Sequence, residues 1–212
     1  NNMGMPVLVL GESGSGKSYS IKNFDVDEVG IFAVEKPFLP FKKDFKIAKR
    51  AGYKEIGEIL KEPKLKTYII DDSQYLLAFE MFNRAKETGY GKYTELAQHF
   101  QQIISTCEGL RDDLNIFFIL HSEDIQSDKV NVGYKVSTIG SLIDNQYNPI
   151  EVVPMVLYAA IKYDEKGKPS PLISRKKPIK TQNLHIFAPS ILLLFPHESG
   201  PSSYFGRSAF TC

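Results

Sequence analysis

The stretch "MPVLVLGESGSGKSYS", Met5 to Ser20, constrains the fold more than any other part of the chain. Pro6 to Leu10 is a nearly all-apolar run, the pattern of a strand covered on both faces inside a parallel sheet. It breaks into Gly11-Glu12-Ser13-Gly14-Ser15-Gly16-Lys17-Ser18 and then into helix-compatible sequence, Ser18 to Phe24. A strand, a glycine-rich turn and a helix in immediate succession require a layered α/β domain. The spacing G-x-x-x-x-G-K-[ST] lets a backbone wrap with its N–H groups pointing inward, and the helix adds its positive dipole end beneath. Such a concavity is built for phosphate.

If phosphates sit there, the surrounding side chains acquire roles. The backbone from Gly11 through Glu12, Ser13, Gly14, Ser15, Gly16, Lys17 and Ser18 to Tyr19 forms the cradle. Lys17 reaches the β and γ phosphates, and the Ser18 hydroxyl sits on Mg²⁺. ATP and Mg²⁺ are the expected ligands. "TYIIDD", Thr67 to Asp72, reads as another buried strand, and Asp71 at its carboxyl end is the natural second contact to the ion. Asp72 has two readings: it polarises an attacking water, or it caps the helix that starts near Ser73. Glu35, closing the strand Ile31 to Val34, is the rival for that water, since a general base must lie within hydrogen-bond reach. His121 and Ser122 end the strand "NIFFILHS", where ligands collect in open α/β sheets, so His121 is a candidate sensor of the γ-phosphate. Gln74 is a second candidate for that role.

The rest of the chain fits the same class. Tyr53 to Lys61 places Ile56, Ile59 and Leu60 at helical spacing before Pro63. Helical segments are expected over Ser73–Lys86, with Leu76, Leu77, Phe79 and Phe82, and over Tyr93–Leu110, with Leu96, Ala97, Phe100, Ile103, Ile104 and Cys107 on one stripe. Asp124 to Asn148 reads as polar and loop-rich with a helical turn near Ile139 to Ile143, and Pro154 to Tyr163 as a further strand. Apolar strands alternating with helices indicate a largely parallel sheet flanked by helices. A strand placed in sequence between the phosphate loop and the Asp71 strand is the order of RecA-like and AAA-type P-loop NTPases. No N-K-x-D element of small GTPases is present, and arginines are too sparse for the lid of a nucleoside monophosphate kinase.

Net charge is +1, which gives no global pull toward nucleic acid. Phe41 to Lys54 is nonetheless strongly basic, as is Lys162 to Lys180, either as solvated faces or as a footprint for a polyanion. Tyr90, Tyr93 and Tyr134 either pack or stack on bases. Cys107 and Cys212 make no disulfide framework, no run is long enough to span a bilayer, and nothing before the first strand reads as a signal peptide. A cytoplasmic setting is expected. The core is read as residues 1–183, with an atypical tail over 184–212 that carries only Glu198 and Arg207 as charges.

"MPVLVLGESGSGKS", "FAVEKPFLPFKK", "IIDDSQYL", "FFILHSE" and "TIGSLID" together are similar to small ATP-binding proteins of tailed phages and prophages, a group labelled AAA-family ATPases. The chain also resembles the RecA-like single-strand-annealing proteins of phage recombination modules. The resemblance runs from Met5 to Asn183 and departs from the group at Leu184. It implies a RecA-type core, Mg-ATP binding through Gly11 to Ser18 and Asp71, and action in DNA recombination or replication with single-stranded DNA as partner. RecA-like ATPases often complete their sites with a neighbour's basic residue, so a ring or filament is expected, with Arg84, Arg111, Lys176 and Lys177 as candidates. A nucleotide-dependent switch for a protein partner and a small-molecule kinase are the competing functions.

Overall fold

The computed structural model describes residues 4–36, 38–127, 130–137, 147–167 and 169–175. Its framework is an eight-stranded sheet. In chain order the elements are β1 (Met5–Gly11), α1 (Lys17–Ser20, continued by a 3-10 turn Ile21–Asn23), β2 (Val29–Ala33), β3 (Lys46–Lys49), α2 (Tyr53–Lys61), β4 (Thr67–Asp71), α3 (Tyr75–Asn83), α4 (Gly91–Thr106), β5 (Asn115–Ser127), β6 (Val130–Val136), α5 (Pro149–Val152), β7 (Met155–Tyr163) and β8 (Pro169–Arg175). The spatial order is β3-β2-β4-β5-β1-β7-β8, with β6 paired to β5 off this path. From β3 through β7 all pairings are parallel, and only the β5–β6 and β7–β8 pairs are antiparallel.

Alternation along the strands divides the core in two, because successive side chains point to opposite faces. Leu8, Leu10, Phe32, Ile70, Phe118 and Leu120 face α2, α3 and α4. Val7, Val9, Ile31, Ile69, Phe117 and Ile119 face the other way, against Ile21 and Phe24 at the end of the α1 segment and Phe45. Leu39 and Phe41 of the "FLPFKK" segment pack on this second cluster. Lys43 fastens that segment by donating from Nζ to the carbonyls of Lys22, at 2.8 Å, and Phe24. The segment is therefore a loop that caps the sheet.

Several expectations need correction. The basic stretch Phe41–Lys54 contains a strand, β3, at the sheet's edge, with lysines at both ends that blunt it against further pairing. The strand beginning at Asn115 does not end at Ser122 but runs on to Ser127 and folds back as β6, so much of the supposed loop is a hairpin. The helical turn near Ile139 to Ile143 lies outside the described residues, as do Lys176, Lys177, the boundary at residue 183 and the tail. Ile59 is 40% exposed, Phe79 37% and Phe82 69%, so these three do not join the core stripe their spacing implied. The α4 stripe is buried throughout.

Candidate functional site

The site gathers at the carboxyl edge of the parallel strands. Between β1 and α1 the chain turns through Gly14 and Gly16, both left-handed at φ 81° and φ 88°, where a side chain would be strained. Gly11 is required for a different reason: a Cβ there would lie 2.4 Å from the Ala159 carbonyl oxygen and 2.7 Å from Ser15 Oγ. The loop thus has no room for a side chain at its first residue, where it lies against β7.

Lys17 is buried at the root of α1. Its Nζ donates to the carbonyls of Gly11 and Glu12, each at 2.7 Å, and to Ser15 Oγ at 3.3 Å. Burial lowers its pKa to about 8, opposed by the charges of Asp72, Asp71 and Glu12. Ser18 donates from Oγ to Asp71 Oδ1 at 2.8 Å. Ser18 lies in the helix after β1 and Asp71 ends β4, strands that are not neighbours, for β5 lies between them. Ser18 reaches Asp71 over the middle of β5. Burial, then the Asp72 charge, raises the Asp71 pKa to about 6, against the Ser18 hydrogen bond and the Lys17 charge.

Asp72 sits at φ 55°, an uncommon conformation for any residue but glycine, though aspartate tolerates it better than most. Its side chain does not cap α3: Oδ1 lies 3.1 Å from His121 Nε2, while the Asp72 carbonyl accepts from Tyr75 N–H at 3.0 Å. The capping alternative is thereby corrected. Burial pushes the Asp72 carboxyl up, but the His121 hydrogen bond and charge, with Lys36 and Lys17, outweigh it and bring the net pKa down. His121 stands in register beside Gly11, and its N–H donates to Gln74 Oε1 at 3.3 Å. The β4 tip, the β5 middle and the loop's first residue are therefore tied together.

Glu35 follows β2, whose neighbour is β4, and Val34 N–H donates to the Asp71 carbonyl at 3.3 Å. Its Oε2 is buried and accepts no hydrogen bond among the described residues; Lys36 Nζ lies 4.0 Å away. Glu35 thus offers a carboxylate oxygen without a donor, while Asp72 Oδ1 is engaged with His121.

The arginines suggested for completing a neighbour's site are otherwise occupied. Arg84 pairs with Glu80, Glu87 and Glu95 and ties α3 to α4. Arg111 donates to the Pro63 carbonyl at 3.0 Å and to that of Leu65, at the amino edge of the sheet, away from the loop. A cleft of about 400 Å³ at that same edge, lined by Lys61, Lys64, Leu110 and Arg111 among others, is likewise remote from the loop. Of the tyrosines with two readings, Tyr93 packs against the core, but Tyr90 is 79% exposed.

A glycine-turned loop on a central parallel strand, a lysine and serine at its helix, and an aspartate two strands away define the fold as that of a P-loop NTPase in the RecA-like order. Asp71 stands across an intervening strand from the loop. No family model matches the chain, and no curated protein does. Among solved structures it is similar to the flagellar accessory protein FlaH from Methanocaldococcus jannaschii, at 11% identity and a TM-score of 0.42, over 84% of this chain and 80% of that one. A likeness that distant carries no function across, and the class rests on the sheet order and the loop. No helix among the described residues is long and apolar enough to cross a membrane.

The donor set fits magnesium. Ser18 Oγ and Asp71 Oδ1 are hard oxygens placed together beside the loop. Magnesium is usually held by one or two carboxylates together with substrate phosphates and water.

Proposed function

We propose that the chain is a Mg²⁺-dependent ATPase whose turnover is coupled to single-stranded DNA, of the phage-encoded kind its sequence resembles. The observation that carries the nucleotide part is the Ser18–Asp71 hydrogen bond of 2.8 Å beside a loop whose lysine is already buried at its root. On this reading Gly11 to Tyr19 wrap the phosphates and Lys17 moves from the loop carbonyls onto the β and γ oxygens. Ser18 and Asp71 hold the ion, which neutralises charge on the phosphates when bound. Glu35 orients the attacking water, because its Oε2 is a buried carboxylate oxygen left without a donor on the strand next to β4. Asp72 and His121 act as a pair that registers the γ-phosphate, and the pair's link to Gly11 relays its state to the loop. Support for DNA comes from the resemblance and from the exposed lysines of the β3 edge, continued by exposed Arg50. A ring or filament of this chain belongs to the same reading, with the trans-acting cation drawn from residues other than Arg84 and Arg111.

One observation favours a second reading, an ATP-driven switch for a protein partner. Lys17 must leave the Gly11 and Glu12 carbonyls to meet a nucleotide, so the loop has two arrangements whose balance ATP shifts. Steady-state hydrolysis with Mg²⁺, with and without single-stranded DNA and with Lys17→Ala as the blank, separates the two. A Lys17-dependent rate that rises with DNA supports the coupled ATPase. Tight ATP binding with turnover indifferent to DNA refutes that coupling and supports the switch.

A further inference from the structure

A nucleotide is longer than its phosphate chain, so a loop that holds the phosphates leaves the sugar and base over a neighbouring surface. On the α1 side that surface is aromatic and cationic. Ser18 turns inward to Asp71, and the next residue, Tyr19, turns outward and is 48% exposed. Phe41 of the capping loop meets the Tyr19 ring edge-on, with centroids 6.0 Å apart and planes at 83°. Lys22 holds its ammonium 3.8 Å from the Tyr19 ring centre. Phe41 packs in turn against Phe45, 6.2 Å away, and Lys43 anchors the loop to the Lys22 and Phe24 carbonyls. Tyr19 is therefore braced by a fixed ring set perpendicular to it, while the ammonium of exposed Lys22 lies over one of its faces.

We propose that this face of Tyr19 is the nucleobase platform, stacking a purine ring while Phe41, perpendicular to it, holds the tyrosine in place. The proposal rests on the phosphate-binding reading of Gly11 to Ser18 and extends it to the base. An aromatic face that holds a cation is electron-rich and open to exchange. A base entering there replaces the ammonium on the ring, and Lys22 gains the negative charge of the adjoining phosphates. Stacking is tolerant of ring identity because every base has a π-face. The larger purine ring covers more of the tyrosine than a pyrimidine does, so ATP is favoured over CTP at this surface.

The chain contains no tryptophan, so Tyr19→Trp introduces a single indole reporter at the platform. Tryptophan fluorescence is titrated with Mg-ATP, Mg-CTP and tripolyphosphate, which carries the phosphates without a base. In parallel, thermal shift measures binding of the same three to wild type, Tyr19→Phe and Tyr19→Ala. Expected are quenching by ATP, weaker quenching by CTP and none by bound tripolyphosphate. Tyr19→Ala weakens ATP by about 5- to 150-fold, from the usual range for loss of one base–aromatic stack. It leaves tripolyphosphate unchanged, and Tyr19→Phe binds like wild type. If Tyr19→Ala binds ATP as tightly as wild type, or tripolyphosphate quenches as ATP does, the platform is refuted while phosphate binding stands. If neither ATP nor tripolyphosphate shifts the melting temperature of wild type, the phosphate reading falls and the platform with it.

Discussion

Asp71→Asn tests the electrostatics of the site before any ligand is added. Asp71 is 7% exposed, stands beside Asp72 in sequence and is compensated mainly by one hydroxyl, Ser18, and by Lys17. Raising its pKa from 3.8 to about 6 means that the folded protein binds a proton there more readily than the unfolded chain does. With more protons bound in the native state, stability falls as pH rises across that interval and levels off above it. The ionised carboxylate then costs the fold about 3 kcal/mol at neutral pH. Asparagine keeps an oxygen for the Ser18 hydroxyl and removes the charge.

The assay is urea denaturation of wild type and Asp71→Asn from pH 4 to pH 8, read as the difference between them so that other titrating groups cancel. The variant is expected to be more stable by about 2–3 kcal/mol at pH 7.5, with the gap closing as pH falls from about 6 toward 4. Magnesium with nucleotide reverses the order, because wild type alone has the carboxylate that holds the ion. A gap that does not change with pH, or a variant less stable than wild type at pH 7.5, would refute the reasoning.

Gly11→Ala forces a methyl against the Ala159 carbonyl and is expected to lose about 1–3 kcal/mol in urea denaturation, together with nucleotide binding. Glu35→Gln is expected to lower single-turnover hydrolysis by about 100-fold or more while leaving equilibrium ATP affinity unchanged. An equal loss in Asp72→Asn but not Glu35→Gln would move the water-orienting role to Asp72. Arg84→Ala and Arg111→Ala are expected to leave steady-state hydrolysis unchanged, since both guanidinium groups are spent inside the subunit; a large loss in either would show that the ion pairs open during turnover.

What the sequence discloses follows from how local each constraint is. Val7 to Leu10, Ile69 with Ile70, and Phe117 to Leu120 are buried on both faces, so an unbroken apolar run is enough to identify their strands. β3 is different: Lys46 and Lys49 are exposed and Ile47 and Ala48 only half-buried, so its sequence shows charge and no apolar run. The hairpin of β5 and β6 hides for a related reason. Beyond Ser122 the strand pairs only with β6, and its polar residues fit a strand outside the layered core as readily as a loop. In α3 the outward residues Phe79 and Phe82 are aromatic and mimic a core stripe, and only the sheet's position reveals which face is wet.

The site divides along the same line. Lys17, Ser18 and Asp71 were legible because loop chemistry fixes their spacing and a strand end fixes the carboxylate. The Asp72–His121 contact joins residues 49 positions apart and exists only because β5 is inserted between β4 and β1. That insertion has a mechanical consequence. His121 is hydrogen-bonded laterally to Asp72 at the β4 tip and to Gln74 behind it, and it is paired in register with Gly11, where the Ala159 carbonyl leaves no room for a side chain. On the proposed reading, a charge arriving near Asp72 and His121 acts on the strand neighbouring the loop. The Lys17 ammonium, bonded to the Gly11 carbonyl, is the group best placed to respond.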